Sequence, residues 1–89
     1  MNLNHLQYFL ETCRYGSITK ASEVCHISQP SITAAINNLE KELGAKLFDR
    51  VNNRLRLTVV GEGFKDLTEE FLKTFDDYCH CLLYTSPSP

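Results

Sequence analysis

The segment from Ile27 to Leu57 restricts most tightly what this chain can fold into. Ser28-Gln29-Pro30-Ser31-Ile32 opens a helix: the Ser28 hydroxyl can accept from a free first-turn amide, and Pro30 suits that turn because its missing donor would have no partner there. Ile32, Ile36, Leu39 and Leu43 recur at spacings of four, three and four, which gathers them on one face, while Pro30, Thr33, Ala34, Asn37 and Lys41 point away. One face is built for a core and the other is left for a ligand. After Gly44 the period shortens. Leu47 opens an extended segment, and Arg54-Leu55-Arg56-Leu57-Thr58 alternates polar and apolar side chains, with Asn52-Asn53 supplying turn chemistry between the two. A capped amphipathic helix followed by a hairpin with Arg54 and Arg56 on its solvent side is expected.

Upstream, Leu3, Leu6, Phe9, Leu10 and Cys13 trace one helical face, and Gly16 stands where a helix commonly stops. Ser17 is a good cap for a short second helix from Ile18 to about Cys25, with Ile18, Ala21, Val24 and Cys25 expected inward. His26-Ile27 leaves a very short connection to the Ser28 cap, so residues 18–37 have the organisation of a helix-turn-helix. Downstream, Thr58 can cap a last helix, whose first turns Gly61 and Gly63 weaken by about 1 kcal/mol each relative to alanine. Val60, Phe64, Leu67, Phe71, Phe75 and Tyr78 form a stripe close to a heptad seam. A three-helix core cannot easily bury all of it, which favours a homodimer joined along this helix; packing back onto its own domain is the plainer alternative. The expected fold is mostly α: a winged helix-turn-helix with a two-stranded wing over residues 1–58, then a C-terminal linker helix over 59–80.

Cys81-Leu82-Leu83-Tyr84-Thr85-Ser86-Pro87-Ser88-Pro89 breaks with that helix. Every codon of TGT CTC TTA TAC ACA TCT CCG AGC CCA fits a transposase-type sequencing adapter in one frame. Residues 81–89 therefore read as a non-native tail from read-through at the end of a fragment, with a native disordered tail as the alternative, and they are left out of the fold reasoning.

With 89 residues and 43% hydrophobic content, one domain is expected, burying roughly 60% of the surface its unfolded chain exposes. The amino terminus lacks the basic start and apolar stretch of a secretory signal, and no apolar run is long enough to span a bilayer, so a cytoplasmic chain with no membrane partner is expected. Cys13, Cys25, Cys79 and Cys81 show no CxxC spacing and read as reduced packing residues. Adjacent helical residues point about 100° apart, so neither Cys25-His26 nor Cys79-His80-Cys81 converges on a metal, and neither metal nor cofactor is expected. The net charge of −2 is unusual for a nucleic-acid binder, but it is unevenly distributed. Acidity concentrates in the last helix, at Asp66, Glu69, Glu70, Asp76 and Asp77, whereas Arg50, Arg54 and Arg56 form a local positive patch.

The order and spacing of Leu6, Tyr8-Phe9, Gly16-Ser17-Ile18-Thr19, Ala21, Ser28-Gln29-Pro30-Ser31-Ile32, Ile36, Leu39-Glu40, Leu43-Gly44, Leu47-Phe48, Arg50, Leu57-Thr58 and Gly61 resemble the amino-terminal DNA-binding domain of LysR-type transcriptional regulators across nearly all of residues 1–78. The resemblance implies a winged helix-turn-helix joined by a linker helix to an effector-binding domain that these residues do not contain, where a small-molecule effector would bind. It also implies dimers, or tetramers of dimers, that activate or repress transcription. The sequence departs from the commonest family pattern at Ala34 and Ala35, where many members carry basic or polar side chains, and at Asn37, which is not basic.

The expected partner is double-stranded DNA, whose major groove admits an α-helix and offers donor and acceptor patterns that amide side chains match. Gln29 is the first choice for base readout, with Pro30, Thr33 and Ala34 offering small or methyl-bearing surfaces and Asn37 one turn beyond Thr33. Thr19 and Lys20 resemble family positions that touch the sugar-phosphate backbone, and Ser28 and Ser31 are placed to do likewise. Arg50, Arg54 and Arg56 supply phosphate attraction, the last two reaching flanking DNA from the wing. Phe9, Phe48, Phe64, Phe71 and Phe75 sit at apolar-periodic positions and read as core or seam. Glu40, Glu42, Asp49 and His26 make no recognisable catalytic arrangement, so no enzyme is expected. Two other readings compete: a winged-helix protein-interaction or dimerisation module, and the related winged-helix domain of molybdate-responsive regulators.

Overall fold

The structure, a computed structural model, describes the backbone of residues 2–52 and 54–85 and the side chains of that range through residue 78. Its order is α1 (Leu3–Tyr15), α2 (Ile18–Cys25), α3 (Gln29–Leu43), β1 (Phe48–Val51), β2 (Arg54–Leu57) and α4 (Val59–Thr85). Side chains start the first three helices. Asn2 accepts from the Asn4 amide at 2.8 Å, Ser17 from Lys20 at 3.3 Å and Ser28 from Ser31 at 3.3 Å. Each replaces a partner that the first turn of a helix cannot supply internally. The turn between α2 and α3 puts His26, a non-glycine residue, in the left-handed region at φ 58°, and the Ile27 amide closes it by donating to the Ser22 carbonyl at 3.1 Å. β1 and β2 are antiparallel, pairing Phe48 with Leu57, Asp49 with Arg56, Arg50 with Leu55 and Val51 with Arg54. Asn52, at φ 53°, opens the turn between them.

Leu6, Phe9, Leu39 and Leu47 form the main buried cluster, and Phe48, Leu57, Phe64 and Leu72 pack against it. Ala21, Ile32 and Ile36 form a second one where α2 crosses α3. Phe9 is the hub, with its ring 5.4 Å from that of Phe48 and 5.2 Å from that of Phe64, both tilted. The wing strand β1 and the helix α4 are thereby pinned to α1.

Several expectations need correcting. Val24 is exposed, because the buried face of α2 runs through Ala21 and Ser22 and leaves Val24 on the flank; the Ser22 hydroxyl donates to the Thr19 carbonyl at 2.7 Å. Leu43, the last residue of α3, is exposed where the chain turns at Gly44. Phe64, read as core or seam, packs against Phe9 at the core and also borders Leu67 and Phe71. The last helix continues through Thr85, past the boundary expected at residue 80. Residues 86–89 of the suspected tail lie outside the described residues.

The joint between α3, the wing and α4 is built around Leu47, which is fully buried. Its amide donates to Glu40 Oε2 at 2.8 Å, and its carbonyl accepts from the Thr58 amide at 3.0 Å. The Thr58 hydroxyl donates to the Lys46 carbonyl at 2.6 Å and accepts from the Gly61 amide at 3.0 Å, capping α4. A Cβ on Gly61 would collide with the Leu47 carbonyl and lie 2.9 Å from Leu57 Cδ2. Gly61 is thus required for close approach, a role that its weak helix propensity does not suggest.

Candidate nucleic-acid interface

Packing Ile32, Ala35, Ile36 and Leu39 inward leaves Gln29, Pro30, Ser31, Thr33, Ala34 and Asn37 exposed along the opposite side of α3. The α2 cap at Ser17 sets Thr19 and Lys20, both exposed, at the neighbouring helix start. A groove of about 440 Å³ is lined by Gly16, Ser17, Ile18, Thr19, Gln29, Thr33, Arg50, Arg54 and Leu55. A second, of about 350 Å³, shares Ile18, Thr33, Arg50 and Leu55 with it and adds Ile36, Asn37, Glu40, Lys46, Phe48 and Asp49. The two form one trough between α3 and the wing.

The three wing arginines stand differently against it. Arg50 is two residues from Phe48 and opposite Leu55, which puts it on the wing face turned toward α3. Arg54 and Arg56 share the opposite strand face with Val51 and Asp49, but Arg54, at the turn end of β2, lines the trough as Asp49 does, whereas Arg56 is not among the residues lining either groove. The structure therefore brings together Thr19, Gln29, Thr33, Asn37, Arg50 and Arg54. Lys20, Pro30, Ser31 and Ala34 are exposed but outside this lining. Ser28, exposed at the start of α3, accepts the Ser31 amide as its cap and shares a 2.9 Å hydroxyl contact with Ser31.

Sequence reasoning missed two residues of the trough. Lys46 adds a positive side chain at the foot of β1, and its only sequence signal was a basic residue close to an arginine cluster. Glu40 accepts the amides of Leu47 at 2.8 Å and Phe48 at 3.4 Å, a pairing that no local spacing announces.

On α4, Val60, Leu67, Phe71, Phe75 and Tyr78 are exposed by 43% or more, and the Phe71 and Phe75 rings stack at 6.3 Å. Leu6, Phe64, Leu67, Thr68 and Phe71 line an apolar groove of about 240 Å³. Cys13 and Cys25 are free thiols, half-buried in the packing. Burial pushes the Cys13 thiol up to about 12, opposed in part by Lys65 and helped by Glu69; burial, with Glu11, also raises Cys25. Among the described residues no three His, Cys, Asp or Glu side chains gather as a metal would need, and the side chains of Cys79, His80 and Cys81 lie outside them. No described helix is long and apolar enough to cross a membrane.

Residues 3–62 match the model of the bacterial regulatory helix-turn-helix proteins of the lysR family. The HTH-type transcriptional regulator YwbI of Bacillus subtilis is 49% identical over 57 residues, which are 64% of this chain and 19% of that protein. The transcriptional activator LysR of Escherichia coli is 41% identical over 61 residues, 68% of this chain and 20% of that protein. The chain thus spans about a fifth of the length of these relatives. The crystal structure of the BenM DNA-binding domain with catB site 1 DNA superposes with a TM-score of 0.93 at 30% identity, covering all of both chains.

Proposed function

Because this chain belongs to the lysR family of bacterial regulatory helix-turn-helix proteins, we propose that it is the DNA-binding part of a transcriptional regulator, reading duplex DNA through the trough between α3 and the wing. The observation that carries this reading is the convergence of Gln29 and Thr33 on α3 with Arg50 and Arg54 on the wing along one groove. An amide and small side chains supply base-edge contacts in the major groove, and the arginines supply phosphate attraction. Thr19 and Lys20, with Ser28 and Ser31, position the backbone; Pro30, Ala34 and Asn37 extend the reading face; Lys46 adds charge beside Arg50; and Arg56 serves flanking phosphate from the far side of the wing. The structural likeness to a DNA-bound domain weighs against a module that binds only protein, and nothing favours the molybdate-responsive alternative.

The exposed stripe of Val60, Leu67, Phe71, Phe75 and Tyr78 supports pairing of two copies along α4, since an apolar face of that length is costly to leave in water. A site read by such a pair would be an inverted repeat. Effector response belongs to the remaining length of the longer relatives, and the cytoplasm is where such a regulator would meet its DNA. Enrichment from a randomised duplex library, with residues 1–78 fused to a neutral dimeriser, tests the reading. Recovery of an inverted repeat is the expected result, and a folded fusion without enrichment or salt-sensitive retention defeats it.

A further inference from the structure

We infer that Glu40 is the positioning residue that sets the wing against α3, and so fixes where Arg50 and Arg54 stand relative to Gln29 and Thr33. Its main-chain carbonyl accepts from Gly44 at 2.8 Å and Ala45 at 3.2 Å, while its carboxylate accepts from Leu47 at 2.8 Å and Phe48 at 3.4 Å. One residue therefore holds the whole link from α3 to β1. The carboxylate holds the Leu47 and Phe48 amides while Thr58 holds the Lys46 and Leu47 carbonyls, so both peptide units flanking Leu47 are gripped from α3 and from the start of α4. A carboxylate accepting backbone amides is a strong, directional tether. Arg50 follows Phe48 by two residues on the same strand face, so rotation of the strand about this tether would carry its guanidinium directly.

Glu40 itself lines the trough beside Asn37, Lys46 and Arg50. A carboxylate facing a phosphate-binding groove would by charge alone oppose DNA, which makes the two explanations of its presence separable in sign. If Glu40 acted only as a charge, removing it would tighten DNA binding. If it acts by position, removing it loosens binding, because the arginines lose their phosphates.

The functional half of this inference rests on the DNA reading above, so two readouts are needed. Glu40→Ala and Glu40→Gln in the 89-residue chain would be compared with wild type, first by residual dipolar couplings that report the orientation of β1 and β2 relative to α3. Retention of a mixed-sequence duplex would then be measured as a function of salt on protein shown to be folded. Glu40→Ala is expected to reorient the wing, weaken retention, and make the salt slope shallower by about 0.9 for each arginine that loses a phosphate. Glu40→Gln keeps a carbonyl acceptor for the Leu47 amide and should restore both readouts toward wild type. An unchanged wing orientation, or tighter binding by folded Glu40→Ala, overturns the positioning role. A reoriented wing in a chain whose wild type retains no duplex upholds the tether and overturns the DNA reading.

Discussion

The rings of Phe9 and Phe64 meet with centroids 5.2 Å apart and planes inclined at 56°, which ties the first turns of α4 to the centre of the domain. Seven residues on, Phe71 is 48% exposed and stacks on Phe75 of its own helix. One periodic stripe thus divides into an anchored part and a free part. Phe64→Ala should cost about 2 to 3 kcal/mol in urea unfolding of the monomer, through lost transfer and an unfilled space beside Phe9. Phe71→Asp should leave monomer stability within about 0.5 kcal/mol but abolish association in sedimentation, because pairing would bury an unpartnered charge. A wild-type chain that remains monomeric at high concentration would defeat the seam.

Gln29→Ala should flatten sequence preference, with a loss of about 1 to 3 kcal/mol of discrimination if the amide makes a bidentate base contact. Competition between selected and scrambled duplexes measures this directly. The salt dependence should not move, since no charge is removed.

Changing Arg50 and Arg54 to alanine together should weaken selected and random duplexes alike and make the salt slope shallower by about 0.9 for each lost contact. Arg56→Ala should have the smaller effect, because Arg50 and Arg54 line the trough and Arg56 does not. Equal effects at all three positions would mean that DNA does not follow the groove.

Gly61→Ala and Gly63→Ala should move stability in opposite directions. A methyl at Gly61 meets the Leu47 carbonyl and Leu57, and forcing it in should cost about 1 to 3 kcal/mol. At Gly63 nothing lies within 4 Å, so the gain in helix propensity should stabilise by about 0.5 to 1 kcal/mol. Thermal unfolding of the pair of variants checks both signs.

The Cys13 thiol, held neutral by burial up to about 12 against an ordinary value of 9.0, should resist alkylation at pH 8 in the folded chain and react promptly in urea. Between pH 9.0 and about 12 the unfolded chain releases a proton that the folded chain keeps. Stability from this group is therefore complete below pH 9.0 and falls as pH rises through that window. Cys13→Ala should remove that part of the slope in pH-dependent unfolding.

Much of this architecture was legible because it is local. Caps at Ser17, Ser28 and Thr58, the spacing of Ile32, Ile36 and Leu39, and the alternation from Arg54 to Leu57 each depend on neighbours within a few residues, and each appears in the structure as read. The misreadings of Val24 and Leu43 have a different origin. Periodicity says that a side chain is apolar on a face, but only the crossing of helices says which part of that face is covered. Glu40 and Gly61 were hidden for the same reason, since their partners, Leu47 and Phe48 for one and the Leu47 carbonyl for the other, lie across a turn or on another element. In the trough, the exposed α3 face was readable, whereas the separation of Arg50 from Arg56 waited on the register of two short strands.

The fit of Gly61 against Leu47 also acts over a distance. At about 1.5 Å per residue, α4 extends about 36 Å from Gly61 to Thr85, so a tilt of roughly 10° at that glycine would displace the far end by about 6 Å. For two copies joined along this helix, such a tilt would shift each α3 by about 6 Å, roughly a fifth of the ~34 Å helical turn of DNA. The spacing of half-sites would then be governed by an angle set where one backbone carbonyl leaves no room for a methyl group.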